Sequence, residues 1–165
     1  MKCEMMEITN SHAGLGTAYL KARKGSPRFV MFMISHVGPD GNHISLPRMI
    51  VELGVSSGQQ TEFVEKESRT RGVTQYKILA YDKSHRLNPD ETPGQLDILT
   101  DRTKNGELSK RVIPTDYDFD EASLPVKSAS VDLSYMAHVF HHLTKKERVL
   151  DEITRITRRD GTFFI

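Results

Sequence analysis

The chain has 165 residues, enough for one domain with a real hydrophobic core. Its 23 basic and 22 acidic residues leave a formal charge of +1, which excludes a bulk field drawing it to nucleic acid or anionic membrane. A single cysteine, Cys3, excludes an internal disulfide and fits a reducing, cytoplasmic setting. Glu4 and Glu7 interrupt the apolar start where a signal peptide would need its core, and no window approaches the roughly 18 unbroken apolar residues of a membrane span.

In chain order, Ser26-Pro27 has the form of a helix N-cap with proline at the first helical position, followed by the run "RFVMFMISHV" and the break "GPDG". "MIVEL" is the first convincing strand, and its unbroken apolar character predicts burial on both faces, as in a parallel sheet. "QQTEFVEKESRT" reads as a helix, leading through Arg71-Gly72 to a second strand, "YKILAYD". From Ser84 to Asn105 the composition turns to Pro, Asp, Asn and Thr. That stretch reads as an insertion at about 84–109, with "QLDIL" as a short strand and "KNG" as a hairpin turn back to "SKRVIP".

The last third is clearer. "SVDLSYMA" reads as a strand entering "HVFHHL", and Thr144-Lys145-Lys146-Glu147 has the spacing of a capping box. Val149, Leu150, Ile153 and Ile156 then share one helical face, Asp160-Gly161 is expected to stop the helix, and "TFFI" to form a final strand. Strands alternating with helices predict an α/β fold, a doubly wound and mostly parallel sheet.

Two chemistries are written over the loop Gly54-Val55-Ser56-Ser57-Gly58. As G-x-S-x-G it matches the nucleophile elbow of a serine hydrolase, with Asp116 or Asp132 and then His141 or His142 in the required chain order. That architecture places the elbow well inside a large sheet, whereas this loop ends what reads as the first sheet strand. As a glycine loop between strand and helix, it lets backbone amides approach a ligand closely, and Asp82 at the end of the next strand is suited to ribose hydroxyls. The dinucleotide fingerprint G-x-G-x-x-G is absent, since Ser56 stands at its second glycine. A tight turn with no ligand is the bland reading of the same residues.

"MIVELGVSSG" resembles the first motif of class I S-adenosylmethionine-dependent methyltransferases, matching at Ile50, Val51, Glu52, Gly54 and Gly58. "ILAYDKS" resembles the second motif, and the run from Asp118 through Leu124-Pro125 and His141-His142 to Ile165 resembles the rest. "AYLKARKGSPRF" is similar to the N-terminal helices of small-molecule members. The resemblance implies a Rossmann-like fold, S-adenosylmethionine as cofactor and methyl transfer to a small-molecule acceptor. It implies that Glu52 holds the methionyl end, that the Gly54–Gly58 backbone, with Ser56, runs beneath the ligand, and that Asp82 binds the ribose. Adenine falls to Asp116, Asp118 or Asp120, of which Asp120 has the best spacing to Leu124-Pro125. The backbone around Met136 and Ala137 closes the site. His141 or His142 supplies a base or positioning group, and Tyr19 and Arg23, i,i+4 on a helix, cover the cofactor carboxylate.

Two histidines of the set His138, His141 and His142 are adjacent and no further ligand completes a tetrahedron, so no metal is expected. Ser56, where the pattern has glycine, is tolerable there if its φ is negative. The family sheet has a sixth and a seventh strand, whereas this sequence stops in the fifth. The expectation is therefore a C-terminally truncated fold whose last strand needs cover from a second copy, a partner chain, the insertion or downstream residues. A catalytically inactive, partner-dependent module is the second functional reading, and the hydrolase the third.

Overall fold

The computed structural model describes residues 5–9, 16–20, 47–70, 72–83, 94–137 and 139–165. Two strands precede the first strand expected from the sequence. β1 (Met5–Thr9) and β2 (Gly16–Leu20) pair antiparallel, with Met5 opposite Leu20 and Thr9 opposite Gly16. Tyr19 thus lies in a strand opposite Met6, not on a helix one turn before Arg23. The antiparallel ladder with Met5–Thr9 gives the backbone groups of Gly16–Leu20 their partners across the pair. Arg23, the Ser26-Pro27 cap and the apolar run after it lie outside the described residues.

The main sheet is built as its apolar runs require. Its strands are β3 (Met49–Leu53), β4 (Lys77–Asp82), β5 (Val112–Asp116), β6 (Val131–Met136) and β7 (Thr157–Phe164). Their order is β5-β4-β3-β6-β7 and every neighbouring pair is parallel. β3 is central, and four of its five residues are buried. Successive side chains alternate between two cores. Ile50 packs with Ile78, Ala80, Leu133 and Tyr135 on one face, whereas Val51 and Leu53 pack with Val131 and Met136 on the other. Pro114 sits in β5, an outer strand, where a missing N–H breaks no inner ladder.

Helices cover both faces. α1 (Gln59–Thr70) and α2 (Gln95–Lys104) contribute Val64, Leu96 and Leu99 to the first core, and α3 (Lys146–Ile156) contributes Val149, Ile153 and Ile156 to the second. α2 corrects the expected strand and hairpin. "QLDIL" is helical because Leu96 and Leu99, three apart, bury one face, and Asn105-Gly106 ends that helix, with Gly106 at φ +80°. An Asn-Gly pair serves a hairpin or a helix C-terminus equally well, and the packing of the leucines decides between them.

α3 corrects two further readings. Its cap residue is Lys145, and no capping box forms. The Thr144 hydroxyl instead donates to Asp120 Oδ2 at 2.6 Å, and the amides of Thr144 and Lys145 donate to the same carboxylate at 2.9 and 2.8 Å. At the other end the helix stops at Ile156, before Asp160-Gly161. Thr157 turns into the sheet, its hydroxyl donating to the Ile153 carbonyl at 2.7 Å. β7 then bulges, since Thr157 pairs with Val131 while Thr162 pairs with Leu133. Gly161 permits this, because a Cβ there would fall 2.8 Å from the Val131 carbonyl oxygen. β7 is the outer strand of the five-stranded sheet, yet its flank has a neighbour within the chain: β2 comes alongside it without joining its ladder.

Candidate functional site

A cleft of about 600 Å³ opens above the C-terminal ends of β3, β4 and β6, at the point where the strand order reverses. In open α/β sheets, this switch point is where ligands bind. Its floor is the loop from Gly54 to Gly58, which is strapped to the end of β4. The amides of Gly54 and Val55 donate to the Tyr81 carbonyl at 2.8 and 3.3 Å, and the Ser56 amide donates to Asp82 Oδ2 at 2.6 Å. Gly54 and Gly58 have φ of +72° and +81°. A Cβ on Gly54 would lie 1.9 Å from Val139 Cγ2, and one on Gly58 2.3 Å from Leu99 Cδ1, so both positions need glycine. Ser56 does not meet the condition of a negative φ: its φ is +53°, the left-handed region where the family pattern has glycine. Two hydrogen bonds hold it there, the amide to Asp82 and the hydroxyl to Gln95 Oε1 at 3.2 Å.

Glu52 lies beneath the loop and is 2 % exposed. Its Oε2 accepts hydrogen bonds from the Thr61 hydroxyl at 2.6 Å and the Tyr135 hydroxyl at 2.7 Å. Burial pushes its carboxyl up from 4.5 to about 7, the two hydrogen bonds opposing and the Asp82 charge assisting. Burial also raises the Tyr135 hydroxyl well above its ordinary value, with the Glu52 charge assisting. A carboxyl poised at the edge of ionisation, on the wall of a cleft, would be ionised by an arriving cation.

Of the three candidate acids after β5, Asp118 and Asp120 line the cleft. Lys83 pairs with Asp118 at 2.6 Å, and that hydrogen bond lowers the Asp118 pKa. Asp120 is also lowered, first by the Thr144 hydroxyl, because it fixes the turn ahead of α3. Asp116 is exposed at the end of β5. His141 and His142 share a 3₁₀ turn, Phe140–His142, with their rings 3.8 Å apart, and both are exposed. His142 lines the cleft and His141 does not. Met136 is buried in the core at the end of β6, and Ala137 after it reaches the cleft.

The hydrolase constellation does not assemble through Asp132. That carboxylate takes the amides of Arg48 and Met49 at 2.9 and 2.7 Å and pairs with Arg158 at 2.6 Å, at the N-terminal end of the sheet. Ser56 lies at the opposite end.

Four participants escape the sequence reading: Thr61, Tyr135, Lys83 and Gln60. Gln60 lines the cleft at the start of α1, is 5 % exposed, and has neither amide atom hydrogen-bonded. A glutamine at a polar helix start carries no signal of burial. Tyr135 was expected only as a strand residue, and its bond to Glu52 depends on the β3–β6 pairing of Glu52 with Tyr135.

The sequence profile of the methyltransferase domain family matches residues 51–165, and the chain belongs to that family. No match to the sequence was found among curated proteins. Solved structures share the fold. A SAM-dependent methyltransferase from Aquifex aeolicus is 18% identical with TM-score 0.56, over 81% of this chain and 58% of its own. A protein from Methanococcus maripaludis assigned to the S-adenosyl-L-methionine-dependent methyltransferases is 16% identical with TM-score 0.60, over 85% and 54%. A Haloferax volcanii chain, from a complex between a methyltransferase activator and an assigned methyltransferase, is 20% identical with TM-score 0.53, over 83% and 53%. The chain thus spans little more than half the length of these relatives. Family membership implies S-adenosylmethionine as the cofactor. No helix among the described residues is long and apolar enough to cross a membrane.

Proposed function

We propose that the chain, as a single domain, binds S-adenosylmethionine in this cleft and promotes transfer of its methyl group to a small-molecule acceptor. One observation carries the reading: the glycine loop is strapped by its Ser56 amide to Asp82, directly above a buried, cation-seeking Glu52. The glycines leave room that a Cβ would fill, and the two acids stand at the ends of adjacent parallel strands. When bound, the sulfonium supplies an activated methyl group for in-line displacement.

The residues then divide the work. Glu52 faces the methionyl ammonium, and the backbone of Gly54, Ser56 and Gly58 passes beneath the ligand. Asp82 accepts from the ribose hydroxyls. The adenine amino group falls to Asp118 or Asp120, which both line the cleft; Asp120 takes three hydrogen bonds from the Thr144 turn, and Asp118 pairs with Lys83 and accepts the Asp120 amide. Ala137, following Met136, forms the wall beyond β6. Proximity and alignment supply most of the rate, and a base is needed only for an acceptor that must lose a proton. His142 is placed for that task, whereas His141 acts at most through it. Tyr19 and Arg23 belong to the N-terminal segment, and their role is carried over from the resemblance alone.

Isothermal titration with S-adenosylmethionine tests the proposal. Micromolar binding supports it, and absence of binding at millimolar ligand sinks it. Asp82→Ala should weaken that binding by about 1–3 kcal/mol, through hydrogen bonds lost from a charged acceptor. A second reading, a cofactor-binding module that works with a partner, is favoured by the activator complex of the Haloferax relative. Binding without any S-adenosylhomocysteine formed over a panel of amines, thiols and phenols would favour it.

A further inference from the structure

Gln60 stands out in the cleft. Among the described residues, its Nε2 and Oε1 are the buried side-chain polar atoms that have no hydrogen-bond partner. A buried amide left unpaired costs about 1–3 kcal/mol, and a leucine of similar size would avoid that cost. Gln60 is only 5 % exposed yet lines the cleft, so a ligand lying on the Gly54–Gly58 loop would pass against it.

Two neighbours narrow the ligand's chemistry. Gln60 is the second residue of α1, and the first amides of an α-helix have no intrahelical acceptor, so this end of the helix favours a carboxylate. The next residue, Thr61, is hydrogen-bonded at 2.6 Å to Glu52, whose carboxylate favours a cation. Anion-seeking donors are therefore linked through Thr61 to a cation-seeking acid. A group carrying both charges on one carbon, an α-amino acid zwitterion, satisfies the whole set.

We propose that Gln60 reads the amino-acid end of the cofactor, its Nε2 donating to the α-carboxylate while Glu52 faces the α-ammonium. This rests on the cofactor reading above and adds a binding residue to it. It also gives the carboxylate a holder within the sheet domain, independent of the N-terminal segment.

The test compares two ligands on the full chain by isothermal titration. S-adenosylhomocysteine carries the amino-acid group, whereas 5′-methylthioadenosine keeps adenine, ribose and sulfur but lacks it. Gln60→Leu should lower affinity for S-adenosylhomocysteine about tenfold or more, as loss of a hydrogen bond to a charged group implies. Affinity for 5′-methylthioadenosine should stay within about twofold, and the unliganded unfolding midpoint should not fall, since the orphaned amide is gone. Gln60→Glu, which keeps the side chain's length and removes its donor, should show the same split and carries the test should the leucine variant not fold. Equal losses for both ligands would mean that Gln60 only shapes the loop, and no loss for either would mean that water satisfies the amide; both outcomes overturn the assignment. Wild-type protein that binds neither ligand overturns the cofactor reading itself, whereas wild-type binding left unchanged by both variants removes Gln60 alone.

Discussion

Glu52→Gln separates stability from ligand binding in one substitution. The native carboxyl sits at about 7 against 4.5 for its ordinary value, so the folded protein holds a proton that the unfolded chain releases. At about 1.36 kcal/mol per pKa unit, this linkage amounts to about 3 kcal/mol. The sign follows from the raised value: the contribution is full below pH 4.5 and is lost as pH rises through about 7. Glutamine keeps the shape and presents an oxygen to the Thr61 and Tyr135 hydroxyls, and it has no proton to lose. Urea unfolding followed by circular dichroism from pH 4.5 to 8 reads the difference between the two proteins. Subtraction removes the lowered carboxyls Asp118 and Asp120, whose contributions are lost on the acid side in both. Relative to their difference at pH 4.5, the variant should gain about 3 kcal/mol on the wild type by pH 8. It should also bind S-adenosylmethionine more weakly, and wild-type affinity should rise between pH 6 and 8 as the carboxylate forms. A stability difference that stays constant across the range would show that Glu52 is ionised in the fold and refute the reasoning.

The other expectations concern the loop and its supports. Gly54→Ala should destabilise by about 3 kcal/mol or more, through overpacking and positive φ together; Val139→Ala in the same chain should recover part of that in urea unfolding, because Val139 Cγ2 is the atom struck. Ser56→Gly should stabilise by about 0.5–1 kcal/mol, the left-handed strain relieved being partly offset by the entropy of glycine, and an unchanged or lower unfolding midpoint would contradict the φ of +53°. Asp120→Ala should cost about 1–2 kcal/mol by uncapping the Thr144–Lys145 turn, whereas Thr144→Val should cost less, since the two amide bonds to Asp120 remain. A larger loss for Thr144→Val would restore the local capping box in its place.

Legibility followed the range of the interactions. "MIVEL" and "QQTEFVEKESRT" became β3 and α1 with no change of boundary, because an unbroken apolar run and a glycine-led polar helix are local patterns. The placement of the Gly54–Gly58 loop and of Asp82 at strand ends was legible for the same reason, each being a strand end followed by a turn. Where two local signals competed, the sequence reading chose wrongly. "QLDIL" with Asn105-Gly106 fits a hairpin or a capped helix, and burial of Leu96 and Leu99 against the sheet selected the helix. The Thr144–Glu147 spacing fits a capping box, yet a carboxylate 24 residues upstream took the Thr144 hydroxyl.

By itself, the sequence determined most of the alternation of strands and helices, the burial of β3 on both faces, and the glycine loop at its end, since each depends on residues within a turn or a strand of one another. Only the tertiary structure decided the chemical state of the site. The raised Glu52 carboxyl requires Tyr135, 83 residues away, and complete removal from water. The unpaired amide of Gln60 requires the cleft wall that buries it. Burial and cross-strand partners are properties of the assembled sheet, and desolvation, which sets the proton affinity of Glu52 and leaves the Gln60 amide seeking a ligand, has no local signature in the chain.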